Sequence, residues 1–159
     1  MQVYPQGRGM DDTEKSWTID GVTFKHVSQE ELKFVYNNIE SDLNRVTQKA
    51  SADWIPADIY AAVRSGSTQL YLAFKDNYYA GFFVLTPLNS VTGEKTLYIW
   101  VAYSKPEYNI REAGIQFLDN LIQGTSITGM EFHSDRSGWI RAAKKYGFKA
   151  ITTVFKKEI

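Results

Sequence analysis

The sequence predicts one α/β (α+β) domain whose mixed central sheet has about six to seven strands, with helices on both faces. Three observations support this prediction. The hydrophobic pattern alternates between the strand period and the helix period in the order β-α-α-β-β-β-α-β-α-β. Short turns join the three central strands, which therefore run antiparallel, whereas helices separate the late strands, which therefore run parallel. Hydrophobic residues make up 43% of the 159 residues, which is enough for a single core.

The first half of the chain is predicted to contain a strand, two helices and three further strands. The first strand covers residues 18–27 and is interrupted at Asp20-Gly21. Ser28 and Glu31 have the spacing of a capping box, and the apolar residues behind them repeat at three and four positions until about residue 50. A second helix begins at Pro56 and ends before Gly66. The next three strands cover residues 69–74, 78–86 and 96–103.

The second half is predicted to contain two helices that alternate with two strands. The helices cover residues 108–122 and 137–146, and the strands cover residues 127–133 and 150–156. Phe117 and Trp139 lie on the apolar sides of these helices and are predicted core residues. Residues 1–16 are polar and have no hydrophobic period, which predicts a flexible arm in front of a single domain over residues 17–159.

Composition and charge argue against several functional classes. Eighteen basic and eighteen acidic residues give a formal net charge of zero, so no direct nucleic-acid partner is predicted. The chain has no cysteine, which excludes disulfides and cysteine-ligated metal sites. No apolar run suits a signal peptide or a membrane span, so the sequence predicts a cytoplasmic protein without a membrane partner.

The stretch Lys105-Pro106-Glu107-Tyr108, at the entrance to a predicted helix, resembles the GNAT superfamily of acyl-CoA N-acyltransferases. Together with the order of elements, the similarity extends from about residue 22 to the C-terminus. In that family a loop Q/R-x-x-G-x-G/A wraps the cofactor pyrophosphate, because glycines let backbone N–H groups approach phosphates at a helix N-terminus. The resemblance therefore implies acetyl-CoA as the cofactor, held by residues of the matching loop: Asn109, Arg111, Glu112, Ala113 and Gly114.

Two positions depart from the patterns of that family. Glu112 replaces the first loop glycine and adds a carboxylate where the pyrophosphate would lie. The second family signature aligns with residues 136–148 and puts Ala143 where a tyrosine often protonates the leaving thiolate. Tyr146 follows three residues later, about 300° around the helix at ~100° per residue, so it does not take that place.

The two departures leave two functions open, and no catalytic residue is assigned. The first is a GNAT-fold protein with a degenerate pyrophosphate loop and impaired or no catalysis, which acts through protein contacts. The small size of the chain and its polar residues 1–16 resemble those of GNAT-like proteins of tailed bacteriophages. That resemblance implies phage structural proteins as partners and the virion or the host cytoplasm as the location. The alternative is an acetyl-CoA-dependent N-acetyltransferase of an unspecified amine.

His133 has a functional and a structural interpretation. It alternates with Glu131 and Asp135 on one strand face, where the three could form a general base or a small metal site. They could also be the polar face of a strand end. Because His26 is the only other histidine, no metal site is predicted.

Other groups keep two interpretations as well. Aromatic residues of the central strand could line a substrate channel or fill the core: Tyr98, Trp100 and Tyr103. Basic residues on and before the last helix could contact a phosphate or form a solvated face: Arg136, Arg141, Lys144 and Lys145. Gly114 could belong to an anion site or allow close packing on the sheet.

Overall fold

A computed structural model describes residues 16–49, 52–134 and 136–159. The predicted arm lies outside these ranges except for Ser16, which begins the first strand. The described residues form six strands and four helices, in this order: β1 Ser16–Ile19, β2 Val22–Val27, α1 Leu32–Lys49, α2 Pro56–Ser65, β3 Gln69–Lys75, β4 Tyr78–Asn89, β5 Lys95–Ser104, α3 Arg111–Ile122, β6 Ile127–Glu131 and α4 Ser137–Lys145.

The strands form one sheet in the order β1-β2-β3-β4-β5-β6. The first five strands pair antiparallel, and β5 pairs parallel with β6. Tight turns explain the antiparallel half, because Asp20 and Gly21, and likewise Asp76 and Asn77, have positive φ angles of 51° to 78° as two-residue hairpins require. The predicted mixed sheet is thereby confirmed, and the predicted first strand is a hairpin of two.

Helices cover both faces of the sheet and divide the apolar core into two clusters. Leu32, Ile39 and Leu43 of α1 pack with α2 on one face. Phe117 and Leu118 of α3 pack on the other face. Phe117 is fully buried, as predicted, and its ring stacks on Phe24 with centroids 4.4 Å apart. This burial fixes α3, and therefore its N-terminus, against the sheet.

Two of the predicted helix starts differ in outcome. The capping box before α1 forms, since the Glu31 N–H donates to Ser28 Oγ at 3.1 Å and the Ser28 N–H donates to Glu31 Oε1 at 3.2 Å. The predicted start of α3 at residue 108 is three residues too early. The Tyr108 N–H instead donates to the Lys105 carbonyl at 3.0 Å, so this stretch is a turn in front of the helix.

The predicted final strand over residues 150–156 is wrong. Within residues 136–159 no strand forms, and the segment is exposed, with Ile151 81%, Val154 84% and Phe155 92% accessible. Strand propensity describes how well side chains suit a paired, half-buried surface, and here β6 pairs with β5 alone among the described strands. Trp139 is also less buried than predicted: it is half-buried, and its ring contacts Phe132 with centroids 5.4 Å apart. None of the described helices is long and apolar enough to cross a membrane.

Candidate functional site

The two parallel strands, β5 and β6, separate near the middle of β5. Of its ten residues, the first four pair with β6, and the last pair is Tyr98 with Glu131. Residues 99–104 of β5 extend beyond that point with β4 on one side and without β6 on the other. We call these six residues, on the side of β6, the open edge. The backbone of a strand edge without a neighbouring strand suits an extended ligand that carries amides.

A bulge in β5 lies at the start of the open edge. Val84 pairs with Val101 and Leu85 pairs with Ile99, so Trp100 is the extra residue opposite β4. As a result Trp100 and Val101 both contact the α1–α2 core cluster, whereas Ile99 and Ala102 contact the α3 cluster. Bulges re-aim side chains in this way next to binding sites. The bulge directs the Trp100 indole toward the α1–α2 loop.

The open edge leads through a short loop into the N-terminus of α3. Ser104 Oγ donates to the Tyr108 carbonyl at 3.2 Å and thereby tightens this loop. The N-cap residue is Ile110, which has no side-chain oxygen to cap the helix. The first helical bond is Gly114 N–H to the Ile110 carbonyl at 2.9 Å. The N–H groups of residues 111–113 therefore point out of the helix end, where an anion is favoured.

The predicted loop residues divide into exposed and buried members. Asn109, Arg111 and Glu112 are exposed, whereas Ala113 and Gly114 are buried. A Cβ at Gly114 would come within 3.0 Å of the Phe83 ring. Close packing on the sheet thus explains Gly114, and residues 113 and 114 can offer a ligand only backbone groups.

Glu112 is bonded to the end of α4. Its Oε1 accepts a hydrogen bond from Lys145 Nζ at 2.9 Å and one from the Tyr146 hydroxyl at 2.8 Å. The bonds with Lys145 first, and then Tyr146, lower the pKa of the carboxyl, and the bond with Glu112 raises the pKa of Lys145. The carboxylate expected to repel a pyrophosphate is therefore compensated by a cation of the same chain.

The basic residues near Glu112 differ in the contacts that their side chains make. The Arg111 guanidinium lies over the Trp139 ring, 5.8 Å from its centroid, so it is held beside the helix N-terminus. Lys145 is bonded to Glu112, while Arg136, Arg141 and Lys144 are exposed. Of the predicted basic group, the structure thus brings Lys145 to the start of α3, where Arg111 also lies.

An aromatic–acidic cluster lies on the α1–α2 side of β5. The Trp54 and Trp100 rings meet edge to face at 6.4 Å, and the Tyr98 and His133 rings lie 5.0 Å apart. Burial, then the charges of Asp53 and Glu131, raise the pKa of Tyr98, and Glu131 pairs with Tyr98 across the two parallel strands. We define the cluster by its six members: Asp53, Trp54, Tyr98, Trp100, Glu131 and His133. Its aromatic rings are half-buried and remain accessible.

A buried carboxylate that sequence analysis did not identify lies beneath the end of β5. Asp42 of α1 is 3% exposed and accepts the Tyr79 hydroxyl at 2.8 Å. Arg45 Nη1 lies 3.4 Å from Asp42 Oδ1. Burial raises the pKa of Tyr103 most, Arg45 opposes the rise, and Asp42 adds to it. Asp42 lies three residues after Ile39 on the apolar stripe of α1, which is the signal that could have revealed it.

The metal-site interpretation of His133 gains no support. Among the residues that the structure describes, no group of three His, Asp or Glu side chains could hold a metal ion. Asp135, one member of the predicted set, lies outside those residues. His133 instead faces Tyr98, at the point where β5 and β6 part.

Solved structures of acetyltransferases share this fold. Ribosomal-protein-alanine N-acetyltransferase from Brucella melitensis biovar Abortus 2308 matches with a TM-score of 0.66 and 13% identity, over 87% of this chain and 99% of that one. An aminoglycoside acetyltransferase from an uncultured soil metagenomic sample, in complex with sisomicin, matches with a TM-score of 0.64 and 10% identity, over 88% and 97%. A predicted acetyltransferase with acetyl-CoA from Clostridium acetobutylicum matches with a TM-score of 0.61 and 12% identity, over 86% of this chain and 96% of that one.

No protein-family model and no curated protein matches the chain. These three matches have identities of 10% to 13%, and at that level a likeness establishes the fold and not the activity. The fold predicted from the sequence is thereby confirmed.

Proposed function

This chain has the fold of the GNAT acetyltransferases, and we propose that it binds acetyl-CoA and transfers the acetyl group to an amine. One observation carries the proposal. β5 and β6 part at Tyr98 and Glu131, and the open edge leads directly to a helix N-terminus whose cap residue offers no side-chain acceptor. An open strand edge suits an amide-bearing arm, and an uncapped helix N-terminus suits a phosphate.

The residues at this place fit acetyl-CoA. The N–H groups of residues 111–113 and the Arg111 side chain would hold the pyrophosphate, and residues 99–104 would hold the extended arm. Glu112 opposes this fit less than a free carboxylate would, because Lys145 and Tyr146 are bonded to it. When bound, acetyl-CoA supplies a thioester-activated acetyl group to which an amine nitrogen can add.

His133 is the residue proposed to accept the proton of the attacking amine. It lies beside Tyr98 where the strands part, and its imidazole is exposed and can reach a bound ligand. A neutral imidazole has a lone pair on one ring nitrogen, which suits a general base. Because residue 143 is alanine, the departing thiolate would be protonated from solvent.

Calorimetric titration of the full chain with acetyl-CoA tests the proposal. Binding is expected to release measurable heat and to raise the melting temperature, since a ligand of the native state stabilises it. Arg111→Ala is expected to weaken binding about tenfold through loss of one phosphate contact. Arg64→Ala is the matched control, because Arg64 is an exposed arginine at the far end of α2. No heat and no thermal shift with the parent protein would refute the proposal.

A second candidate function, contact with another protein, is favoured by the C-terminal segment. Residues 149–159 are exposed, and the large apolar side chains among them are more than 80% accessible: Ile151, Val154, Phe155 and Ile159. Exposed apolar groups gathered in one segment are typical of interaction sites. A phage structural protein as the partner stays a prediction of the sequence.

Sedimentation of the full chain tests this second candidate in its simplest form, self-association. The parent is expected to associate as its concentration rises, and a variant with serine at residues 151, 154 and 155 is expected to stay monomeric. A variant with serine at Thr152 and Thr153 is the control, because these residues lie in the same segment and are already polar. A parent that is monomeric at every concentration would contradict contact between copies.

A further inference from the structure

Positive charge is concentrated in the last part of the sequence. Residues 136–159, which we call the basic segment, contain seven of the 18 basic residues and one of the 18 acidic residues, Glu158. The basic segment therefore carries a formal charge of +6, and residues 1–135 carry −6. The zero net charge of the whole chain conceals this separation, so it does not exclude a polyanionic partner for one part of the surface.

The cations of the basic segment face solvent. All seven are exposed: Arg136, Arg141, Lys144, Lys145, Lys149, Lys156 and Lys157. The ion pairs formed by the described residues are Arg45 with Asp42 and Lys145 with Glu112, so Lys145 is the one member of the group that they include. The other six side chains are therefore placed to interact with an anion from outside the described residues.

Large apolar side chains lie among these cations. On α4, Ile140 is 53% exposed, and Arg136 and Lys144 lie one turn before and after it on the same side. Beyond α4, Lys149, Lys156 and Lys157 lie among the apolar side chains that are more than 80% accessible: Ile151, Val154, Phe155 and Ile159. Exposed apolar groups flanked by cations are typical of segments that lie in the interface of a bilayer, where the charged ends of lysine and arginine reach the lipid headgroups.

The combination of charge and apolar area distinguishes between the classes of partner. A nucleic acid would compensate the positive charge, but its phosphates would leave the isoleucine and valine side chains without an apolar contact. A second copy of the segment would cover the apolar side chains, but it would bring two positively charged segments together, which weakens that contact. A bilayer with anionic lipids offers a negative surface above an apolar interior. Lipid therefore satisfies both features of the segment.

We propose that the basic segment binds the surface of an anionic bilayer, with its lysine and arginine side chains at the lipid headgroups and the apolar side chains of residues 149–159 among the outer parts of the acyl chains. The sequence predicted no membrane partner because no apolar run suits a span, but binding at the surface needs no such run. Charge and apolar area act together, since either one alone binds a bilayer weakly. This interaction is independent of the transferase function.

Co-sedimentation of the full chain with lipid vesicles tests the charge requirement. Vesicles of phosphatidylcholine with about one-third phosphatidylserine are expected to bind the protein at least about tenfold more tightly than vesicles of phosphatidylcholine alone. Binding should weaken as salt is added, because salt screens the attraction between exposed cations and headgroups. Equal binding to the two kinds of vesicle, or no binding to either, would overturn the proposal.

Double substitutions assign the attraction to the basic segment. Lys156→Gln combined with Lys157→Gln should weaken binding to the anionic vesicles about twentyfold, at about fivefold for each charge. Lys33→Gln combined with Lys49→Gln is the matched control, because it removes two exposed lysines of α1 and should leave binding unchanged. Equal losses in the two double variants would mean that the bilayer attracts the chain as a whole, and would overturn the assignment.

Phe155→Ser tests the contact with the acyl chains. It should weaken binding to the anionic vesicles about tenfold, because the ring no longer enters the lipid. Phe34→Ser is the control, at a phenylalanine of α1 that is 65% exposed, and it should bind like the parent. Both variants should keep the parent's melting temperature, since neither side chain is buried. Unchanged binding in Phe155→Ser, or tighter binding of the parent to a single-stranded oligodeoxynucleotide than to the anionic vesicles, would overturn the choice of lipid as the partner.

Discussion

The Tyr79 hydroxyl on β4 donates a hydrogen bond of 2.8 Å to Asp42 on α1, and both residues are at most 4% exposed. The bond joins the helix to the sheet directly beneath the end of β5. Burial, and then the bond with Asp42, raise the pKa of Tyr79, so the hydroxyl keeps its proton and serves as a donor. A charge in this position depends on such donors, because water cannot replace them.

Removing this donor is expected to destabilise the fold. Tyr79→Phe should lower the free energy of unfolding by about 1–3 kcal/mol, since a buried carboxylate loses a hydrogen bond. Urea denaturation at neutral pH measures the change. Tyr78→Phe is the control on the neighbouring residue, whose side chain is 64% exposed, and it should unfold like the parent. Equal midpoints for the two variants would contradict a stabilising role for the bond.

The two aromatic residues predicted to lie in the core are expected to differ in cost. Phe117 is fully buried, and its ring centroid lies 4.4 Å from that of Phe24 and 5.1 Å from that of Tyr71. Phe117→Ala should therefore lower the free energy of unfolding by about 3–5 kcal/mol. Trp139 is half-buried, so Trp139→Ala should cost less, about 1–2 kcal/mol. Denaturant unfolding of both variants checks the order. A larger loss from Trp139→Ala would mean that α4 is packed more tightly than described.

Local rules predicted the parts of the fold that depend on neighbouring residues. The Asp20-Gly21 and Asp76-Asn77 turns and the capping box of Ser28 with Glu31 form because backbone angles and short-range bonds determine them. The strand over residues 150–156 was wrongly predicted, because a strand also needs a partner edge, and that partner is distant in sequence.

The candidate site was predictable only in part for the same reason. The loop from Asn109 to Gly114 could be found because its residues are consecutive and precede a helix. The bond between Glu112 and Lys145 joins residues 33 positions apart, and no sequence period indicates it. The meeting of Trp54 with Trp100 depends on a bulge at a single residue, which pairing reveals and propensity does not.

A glycine beside the open edge is expected to be necessary for its geometry. Gly81 pairs with Ser104, and a Cβ at Gly81 would overlap the Tyr103 carbonyl oxygen. Gly81→Ala should therefore cost about 1–3 kcal/mol and should also weaken acetyl-CoA binding, since the end of β5 must shift. Gly129→Ala in β6 is the control, because an added Cβ there meets nothing within 4 Å. Unfolding and calorimetry of both variants provide the comparison, and a harmless Gly81→Ala would contradict the close approach.

The pKa of the Glu112 carboxyl is expected to lie below that of an ordinary glutamate, because Lys145 first, and then Tyr146, donate hydrogen bonds to its charged form. Because the pKa of this carboxyl is lower in the folded state, its hydrogen bonds stabilise the fold at pH values above the pKa of the unfolded state. That stabilisation is lost as the pH falls through the pKa of the folded state. Lys145→Gln should raise the carboxyl pKa most, Tyr146→Phe less, and Lys144→Gln not at all. NMR titration of the Glu112 carboxyl measures all three, and an equal shift in the Lys144 variant would contradict a specific bond.

The same carboxylate is expected to limit acetyl-CoA binding. Glu112→Gln removes a negative charge from the first turn of α3 and releases Lys145, whose ammonium group can then interact with a bound pyrophosphate. Binding should strengthen by about tenfold, and the gain should shrink as salt is added. In Glu112→Gln combined with Lys145→Gln the gain should be smaller, because only the repulsion is relieved. If Glu112→Gln instead weakens acetyl-CoA binding measured by calorimetry, the carboxylate is itself part of the binding site, and its bond to Lys145 positions it there.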